Sequence, residues 1–278
     1  MKIGGKEFET DKKTYVMGIL NMTPDSFSDG GKWKDLDRAL FHVEEMQADG
    51  MDILDIGGES TRPGYSMISD EEEIERVIPV IEAVKSRFDI PVSLDTYKSS
   101  VAKAGVAAGI DLINDIHGLR YDERMAGVIA ESGLPCCLTH NRKEADYQDF
   151  MREVMGDLGK TLQLAEQAGI LHDKIILDPG VGFGKTYEQN LQVVCSLEFF
   201  HSLGCPLLLG ASRKSLIGLT LDLPVSERLE GTLVTTVLAV LKGCSFVRVH
   251  DIKENVRAIK MTEAIMGRNE RDTWMRSE

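Results

Sequence analysis

Short apolar runs recur along this chain, each followed by a segment with helical periodicity, and this alternation constrains the fold more than any other feature. Most of the runs are continuously apolar rather than alternating, which indicates strands buried on both faces, as in a parallel sheet. Eight such runs are predicted as strands, at residues 15–20, 53–56, 91–94, 111–114, 135–139, 174–177, 206–209 and 245–249.

Eight helical patterns accompany these runs. Ser69 and Glu72 have the spacing of a capping box, so the acidic residues 70–73 are most simply explained as a first helical turn. Eight strands alternating with eight helices is the count of a (β/α)8 TIM barrel, and an open doubly wound sheet is the alternative. The other helices are predicted at residues 36–48, 99–108, 122–131, 147–168, 187–201, 226–241 and 252–265.

Polar side chains follow the strand runs, one strand after another. In a barrel all strand ends converge on one mouth, whereas an open sheet would need such residues only at its switch point. We therefore predict a single-domain TIM barrel over residues 1–278, with a core from about residue 15 to residue 265. The polar residues are Asn21, residues 57–62, Asp95, Asn114, Asp115, His140, Asn141, Asp178, residues 212–214, Arg248 and His250.

The charge balance limits the partners. Lys and Arg number 32 against 45 Asp and Glu, giving a net charge of −13, which argues against a nucleic-acid or anionic-membrane partner. No apolar stretch reaches the ~18 residues of a membrane span, and the first residues lack the apolar segment of a signal peptide. We therefore expect a cytoplasmic protein whose 5 cysteines are buried thiols.

Four of the residues at the strand ends suit a heterocyclic ligand. Carboxylates accept paired hydrogen bonds from adjacent N–H and NH2 groups, an amide matches a mixed edge, and an ammonium donates to a carbonyl. A 2-amino-4-oxopyrimidine presents such edges. Each aspartate could instead cap the next helix. The four residues are Asp95, Asn114, Asp178 and Lys214.

Basic residues follow several strands, which predicts a local site for an anion, with surface salt bridges as the alternative. They are Arg62, Lys214, Arg248 and His250. Two loops, residues 21–31 and 57–64, combine Gly and Pro with polar groups, which is typical of mobile lids, although plain turn chemistry would give the same composition.

Residues 180–186 read GVGFGKT and are similar to a phosphate-binding loop. The Walker motif needs four residues between its first glycine and Gly-Lys-Thr, and here only three intervene. We predict instead a tight turn after the sixth strand that lets a ligand approach the backbone.

Several segments together resemble the dihydropteroate synthases of the folate pathway. The resemblance extends from about Tyr15 to Ile265, and the order of the loop motifs is highly specific. The matching segments are MGILNMTPDSFSDGG, DILDIGGESTRPG, SLDTYK, LINDI, LDPGVGFGKT, LLLGASRKS, ERLEGTLVTT and RVHDI.

This resemblance implies an enzyme that condenses 6-hydroxymethyl-7,8-dihydropterin diphosphate with 4-aminobenzoate, giving 7,8-dihydropteroate and diphosphate. It also implies Mg²⁺ as cofactor and a homodimer built through the last helices. Diphosphate would leave from a CH2 group conjugated to the pterin ring, so a dissociative path is reasonable. The arylamine is already neutral and nucleophilic at pH 7, so no strong general base is needed.

The resemblance also implies roles for individual residues. Asp95, Asn114, Asp178 and Lys214 would hold the pterin, and Arg248 would stack on its ring. Asn21, Thr61, Arg248 and His250 would bind the diphosphate, with Asn21 also on Mg²⁺. Phe27, Thr61, Arg62, Pro63, Phe183, Lys214 and Ser215 would shape the aminobenzoate pocket. Asp29 would stabilise cationic character during the reaction, as an electrostatic partner.

One position departs from the family pattern. Thr139 stands where the family usually has a methionine that packs on the pterin ring, so part of that apolar contact is expected to be missing. Two other functions share the expected pterin-binding residues: a pterin-binding methyltransferase domain on the same barrel, and a non-catalytic pterin carrier. A ligand that carries a diphosphate is favoured by the first loop, residues 21–31, which is rich in Gly and polar groups, and by the basic residues Lys214, Arg248 and His250.

Overall fold

The computed structural model describes residues 1–22, 32–59 and 67–268. Its eight-stranded parallel sheet has the order β8-β7-β6-β5-β4-β3-β10-β9, and a parallel bridge between Leu177 and Leu207 brings β8 beside β9. The sheet therefore curls into a nearly closed barrel, which confirms the TIM-barrel prediction. The strands are β3 (Tyr15–Asn21), β4 (Ile53–Gly57), β5 (Val92–Asp95), β6 (Leu112–Asp115), β7 (Cys136–Thr139), β8 (Ile175–Asp178), β9 (Leu208–Leu209) and β10 (Phe246–Val249).

The described helices lie between and after these strands. They are α1 (Lys32–Ala48), α2 (Asp70–Arg87), α3 (Ser99–Ala108), α4 (Met125–Ser132), α5 (Phe150–Ala168), α6 (Tyr187–Cys195), α7 (Ser215–Leu221), α8 (Leu229–Leu241) and α9 (Ile252–Ile265). The predicted helix at 187–201 is too long, because the backbone leaves helical geometry at Ser196 and continues as a 3-10 turn over Leu197–Leu203. None of the described helices is both long and apolar enough to cross a bilayer.

Alternation along the strands creates two separate cores. One side of each strand packs against the surrounding helices, while the other faces the barrel axis. Cys136 belongs to the outer core and Cys137 to the inner one, so these neighbours point to opposite faces of the sheet. The inner core consists of Met17, Ile53, Leu112, Cys137, Ile176, Leu208 and Phe246 from the strands, together with Ile3 and Phe8.

An antiparallel hairpin of β1 (Lys2–Ile3) and β2 (Lys6–Glu7) precedes the barrel and was not predicted. The Phe8 ring that follows it lies 4.8 Å from the ring of Tyr15 and 5.9 Å from that of Phe246, measured between centroids. Both partners are the first residues of their strands. The hairpin and Phe8 therefore cover the amino-terminal end of the barrel.

Two local predictions need correction. Ser69 caps α2 by accepting a hydrogen bond from the backbone N–H of Glu72, but the Glu72 side chain pairs with Arg76, so the capping box is only half formed. Cys195 is exposed at the end of α6, so the prediction that all five cysteines are buried is wrong.

Candidate functional site at the carboxyl end of the barrel

The polar residues of the mouth stand two positions beyond the apolar inner core, because every second residue of a strand faces the same side. Asp55 follows Ile53 in this way on β4, and Asp178 follows Ile176 on β8. One layer of the barrel is therefore apolar and the next layer is polar. The same step places Asn114 on β6, Thr139 on β7 and Arg248 on β10.

Strand register brings the predicted pterin residues close together. Asp95 pairs with Gly57 on one side and with Asn114 on the other, and Asp178 pairs with Thr139. The side chains of Asp95, Asn114, Thr139 and Asp178 are all buried. The sequence therefore predicted correctly that these strand ends lie at one mouth.

Arg248 organises one side of this mouth. Its Nε donates to Asp55 Oδ2 at 2.6 Å, and its Nη2 donates to Asp95 Oδ2 at 2.6 Å. Asn114 donates to the same Asp55 oxygen at 3.2 Å. Within the described part of the chain, the buried Oδ1 atoms of both aspartates lack a hydrogen-bond partner. Such buried acceptors are costly unless a ligand or water donates to them.

The protonation of Asp95 follows from this environment. Burial raises the pKa of Asp95 to about 7, against the opposing effect of the positive charge of Arg248. The neighbouring charges of Asp55 and Glu73 contribute to this rise. Surface salt bridges were the alternative explanation for the basic residues at the strand ends. The ion pair of Arg248 with Asp55 is not of that kind, because the Asp55 side chain is 0% exposed.

Asp178 and Lys214 interact electrostatically on the other side of the mouth. Burial raises the pKa of Asp178, and the charge of Lys214 opposes this shift. Burial likewise lowers the pKa of Lys214 to about 8, opposed by Asp178. Asp178 Oδ1 accepts a hydrogen bond from the N–H of Gly180 at 2.7 Å. The carboxylate therefore supports the turn that follows its strand and does not cap a helix.

A strained turn places Lys214 at the mouth. Arg213 has a φ of 56°, a left-handed conformation that is uncommon for a residue with a side chain. Its N–H donates to Thr232 Oγ1 at 3.0 Å, its carbonyl accepts from Arg228 at 3.0 Å, and its guanidinium pairs with Asp251. These contacts hold the turn, so the next residue, Lys214, projects from the start of α7.

Part of the predicted aminobenzoate pocket is assembled around Lys214. Its Nζ lies 4.4 Å from the centroid of the Phe183 ring and donates to the carbonyl of Val181. Ser215 follows directly as the first residue of α7. The structure therefore brings Phe183 against Lys214, which interacts electrostatically with the predicted pterin residue Asp178, and Ser215 is the chain neighbour of Lys214.

The remaining predicted residues divide into two groups. His250 lies beside Ser212, whose Oγ is 3.0 Å from His250 Nδ1, and Asn21 ends β3 in register with Gly57. The others lie outside the described residues, as do most of the two loops predicted to be lids. They are Phe27, Asp29, Thr61, Arg62 and Pro63.

Sequence reasoning missed Asp55 because it lies inside a strand rather than at its end. A charged residue two positions after an inward Ile53, in an otherwise apolar run, was the available signal. It also missed a buried network after β4, where Lys98 pairs with Glu59 at 2.6 Å and with Glu73 at 2.8 Å. Glu73 belongs to the acidic first turn of α2, so that turn does more than complement the helix dipole.

A nearly closed (β/α)8 barrel whose mouth joins carboxylates, an amide and a half-buried lysine is what a pterin-binding barrel enzyme requires. The model of the family described as "Pterin binding enzyme" matches residues 17–250 of the chain.

Named relatives make the family more specific. A dihydropteroate synthase of Clostridium beijerinckii is 57% identical, covering 96% of this chain and 100% of its own length. A dihydropteroate synthase structure from Clostridium difficile, solved in the presence of pteroic acid, has a TM-score of 0.91 at 48% identity and covers 93% of this chain and 99% of that one. Another from Xanthomonas albilineans, with 4-aminobenzoic acid, has a TM-score of 0.90 at 40% identity and covers 95% and 97%. The chain belongs to the dihydropteroate synthase family.

Proposed function

We propose that the enzyme uses this mouth to condense 6-hydroxymethyl-7,8-dihydropterin diphosphate with 4-aminobenzoate. The observation that supports this most is that the buried side chains of Asp95, Asn114 and Asp178 converge at one mouth, where half-buried Lys214 interacts electrostatically with both aspartates. A transferase built for this reaction must hold a pterin in one orientation and leave its CH2 group open to an amine. The alternative of a methyltransferase has no support among the named relatives described above.

The hydrogen-bonding groups of the mouth match the edges of the pterin. The buried Oδ1 of Asp95 is an acceptor without a partner among the described residues. The Asp178 carboxylate offers acceptors to the adjacent N–H and NH2 groups of the pterin. Lys214 donates to the ring carbonyl while it carries its proton. Leaving such a site without a ligand keeps buried acceptors unpaired, so the correct heterocycle gains hydrogen bonds that a plain aromatic ring would not.

The reaction then depends on positioning and on stabilising the leaving group. Arg248 contacts both Asp55 and Asp95, so its guanidinium is fixed before the substrate arrives. Arg248 and His250 supply donors for the diphosphate, and Thr61, Arg62 and Asp29 complete the catalytic set. The C–O bond to diphosphate breaks as charge spreads into the dihydropterin ring. The neutral amine of aminobenzoate then attacks the CH2 carbon and forms the new C–N bond, and the acidic arylammonium product releases its proton to water, so no strong base is needed.

Magnesium is the proposed cofactor. In the described residues no group of three His, Cys, Asp or Glu side chains could form a complete metal cage. Mg²⁺ usually takes one or two protein oxygens and completes its shell with waters and substrate phosphates. Asn21 Oδ1 fits that role, because it lies near the Asp95 carboxylate: a Cβ added to Gly57 would lie 3.6 Å from both Asn21 Oδ1 and Asp95 Oδ2. When bound, the ion would neutralise charge on the leaving diphosphate.

We also propose a cytoplasmic homodimer. Large apolar side chains are exposed on three successive helices, which is the surface composition expected of a subunit interface. The variant Val234→Glu should shift the sedimentation mass towards the monomer, whereas Phe41→Glu on α1 should leave the mass unchanged. An unaltered dimer in the first variant, or a monomeric parent protein, would contradict this assembly. The exposed side chains are Leu219 and Leu221 on α7, Val234 and Leu241 on α8, and Met261 and Ile265 on α9.

Pterin binding and turnover, compared between the parent protein and one variant, provide a direct test of the function. Calorimetry should show that 6-hydroxymethylpterin binds the parent protein and binds Asp178→Asn much more weakly. Aminobenzoate turnover should be lost to the same degree. If the variant turned over substrate normally, the pterin would have to bind elsewhere.

A further inference from the structure

The turn after β8, residues 180–186, packs backbone to backbone against the segment after β7. A Cβ added to Gly180 would lie 1.9 Å from the carbonyl oxygen of His140, and one added to Gly184 would lie 2.1 Å from that of Arg142. Both glycines have positive φ, 73° and 54°. The phosphate-loop-like sequence therefore forms a tight turn, as predicted, and its glycines permit this close contact.

The ammonium of Lys185 lies inside this turn and connects it to the neighbouring segment. It donates to the carbonyl of Gly180 at 2.8 Å and to that of Phe183 at 3.1 Å. It also lies 2.8 Å from His140 Nδ1. An ammonium has three N–H donors, and these three acceptors use all of them.

His140 is suited to be the third acceptor. Burial and the charge of Lys185 lower the pKa of His140 to about 3, so its imidazole is neutral at physiological pH. With Nδ1 accepting from Lys185, the ring proton is on Nε2, which lies 3.4 Å from Asp157 Oδ2. Asp157 is itself paired with Arg142 at 2.7 Å. A carboxylate, an imidazole and an ammonium thus lie one after another behind the turn, with a hydrogen bond at His140 Nδ1 and a contact without a hydrogen bond at Nε2.

Gly180 links this chain to the pterin residues. Its N–H donates to Asp178 Oδ1 at 2.7 Å, while its carbonyl accepts from Lys185 at 2.8 Å. A single peptide segment therefore joins half-buried Lys185 to the carboxylate of Asp178. Phe183 is linked in the same way, since its carbonyl accepts from Lys185 and its ring lies 4.4 Å from Lys214 Nζ.

We propose that Lys185 is a positioning residue for both substrate subsites, orienting Asp178 through Gly180 and the Phe183 ring through its carbonyl. Lys185 does not contact the reacting atoms. It fixes the turn that sets the distance between the pterin carboxylate and the aromatic wall of the aminobenzoate pocket. The inference rests on the proposed function of the mouth.

The test removes the ammonium and keeps the length of the side chain. Lys185→Met should weaken binding of both 6-hydroxymethylpterin and aminobenzoate by about tenfold to hundredfold, a loss typical of small displacements of positioning groups. Lys185→Arg, which keeps the charge, should recover part of each affinity. Lys160→Met is the matched control, because Lys160 also pairs with Asp157, at 3.2 Å, but is 71% exposed and lies outside the turn. The control should bind both ligands like the parent.

A double-variant cycle separates positioning from general stability. If Lys185 acts on aminobenzoate through Phe183, the affinity loss of Lys185→Met should largely disappear in a Phe183→Ala background, whereas independent losses would multiply. If Lys185→Met does not fold, Lys185→Gln is used in the same cycle. Parent-like affinities in the folded variant, or multiplying losses, overturn the proposal. Product formation by the parent protein is measured in parallel, so that a failure of the proposed function is recognised separately.

Discussion

Replacing Asp55 by asparagine should disturb the positions of Arg248 and Asn114, the two mouth residues that donate to its carboxylate. The Asp55 carboxylate is fully buried and its Oδ2 accepts from both Arg248, at 2.6 Å, and Asn114, at 3.2 Å. An amide has nearly the same shape and keeps one acceptor oxygen. The amide lacks the negative charge that balances the Arg248 guanidinium. Its NH2 group is also a donor, and it would lie beside Arg248 and Asn114, which are donors themselves.

The magnitude follows from these two contacts. Hydrogen bonds to charged groups contribute about 1.5–3 kcal/mol, so the free energy of unfolding should fall by about that amount. The fall should be smaller than the ~3–5 kcal/mol for leaving a buried charge alone, because Arg248 keeps Asp95 as a partner. For a chain of this size the melting temperature should fall by roughly 3–12 °C. The negative charge of Asp55 raises the pKa of Asp95, so that pKa should fall in the variant.

Thermal unfolding followed by circular dichroism, with calorimetric titration of 6-hydroxymethylpterin, measures both effects. Asp49→Asn is the control, because that carboxylate is partly exposed and its ion pair with Lys253 is long, at 4.0 Å. The control should melt and bind like the parent. If Asp55→Asn also matched the parent in both measurements, Asp55 would not be what holds Arg248 and Asn114 in place.

Three further substitutions examine the mouth itself. Asp178→Asn should weaken pterin binding by about 1–3 kcal/mol in calorimetry, because its amide presents a donor to the donor edge of the ring, and unchanged affinity would remove Asp178 from the site. Arg248→Ala should weaken binding of the pterin diphosphate more than that of the pterin alcohol, and equal losses would show that Arg248 does not serve the phosphates. With a pKa of about 8, Lys214 loses its proton as pH rises above 8, so pterin affinity should decline between pH 7 and 9. Burial lowers the pKa of Lys185 to about 7, so Lys214→Met should bind weakly and show a smaller decline that centres near pH 7. A pH profile identical to that of the parent would refute the assignment.

The barrel was predictable because its strands are buried on both faces. Continuous apolar runs locate most of the strands to within a residue or two, as for Tyr15–Asn21 and Ile53–Gly57, since burial on both faces leaves few polar positions inside them. The hairpin of β1 and β2 escaped prediction because two-residue strands carry no periodicity. The seven-residue helix α7 is similarly too short to show an amphipathic pattern.

The site was predictable only where function and strand ends coincide. Asp95, Asn114 and Asp178 end their strands or lie one residue before the end, and the geometry of parallel sheets brings such residues together. Asp55 and Lys185 contribute through contacts between residues far apart in sequence, such as the bond from Arg248 to Asp55 and the contact between Lys185 and His140. A single sequence does not encode those partners in any local spacing.

Direct product analysis tests the central claim that this mouth joins a dihydropterin to an arylamine. Purified protein is mixed with Mg²⁺, 6-hydroxymethyl-7,8-dihydropterin diphosphate and 4-aminobenzoate, and the products are followed by mass spectrometry alongside an assay for released diphosphate. We expect 7,8-dihydropteroate and diphosphate in equal amounts, with both lost together in Asp178→Asn. Pterin binding without dihydropteroate, or diphosphate released without it, would contradict the account.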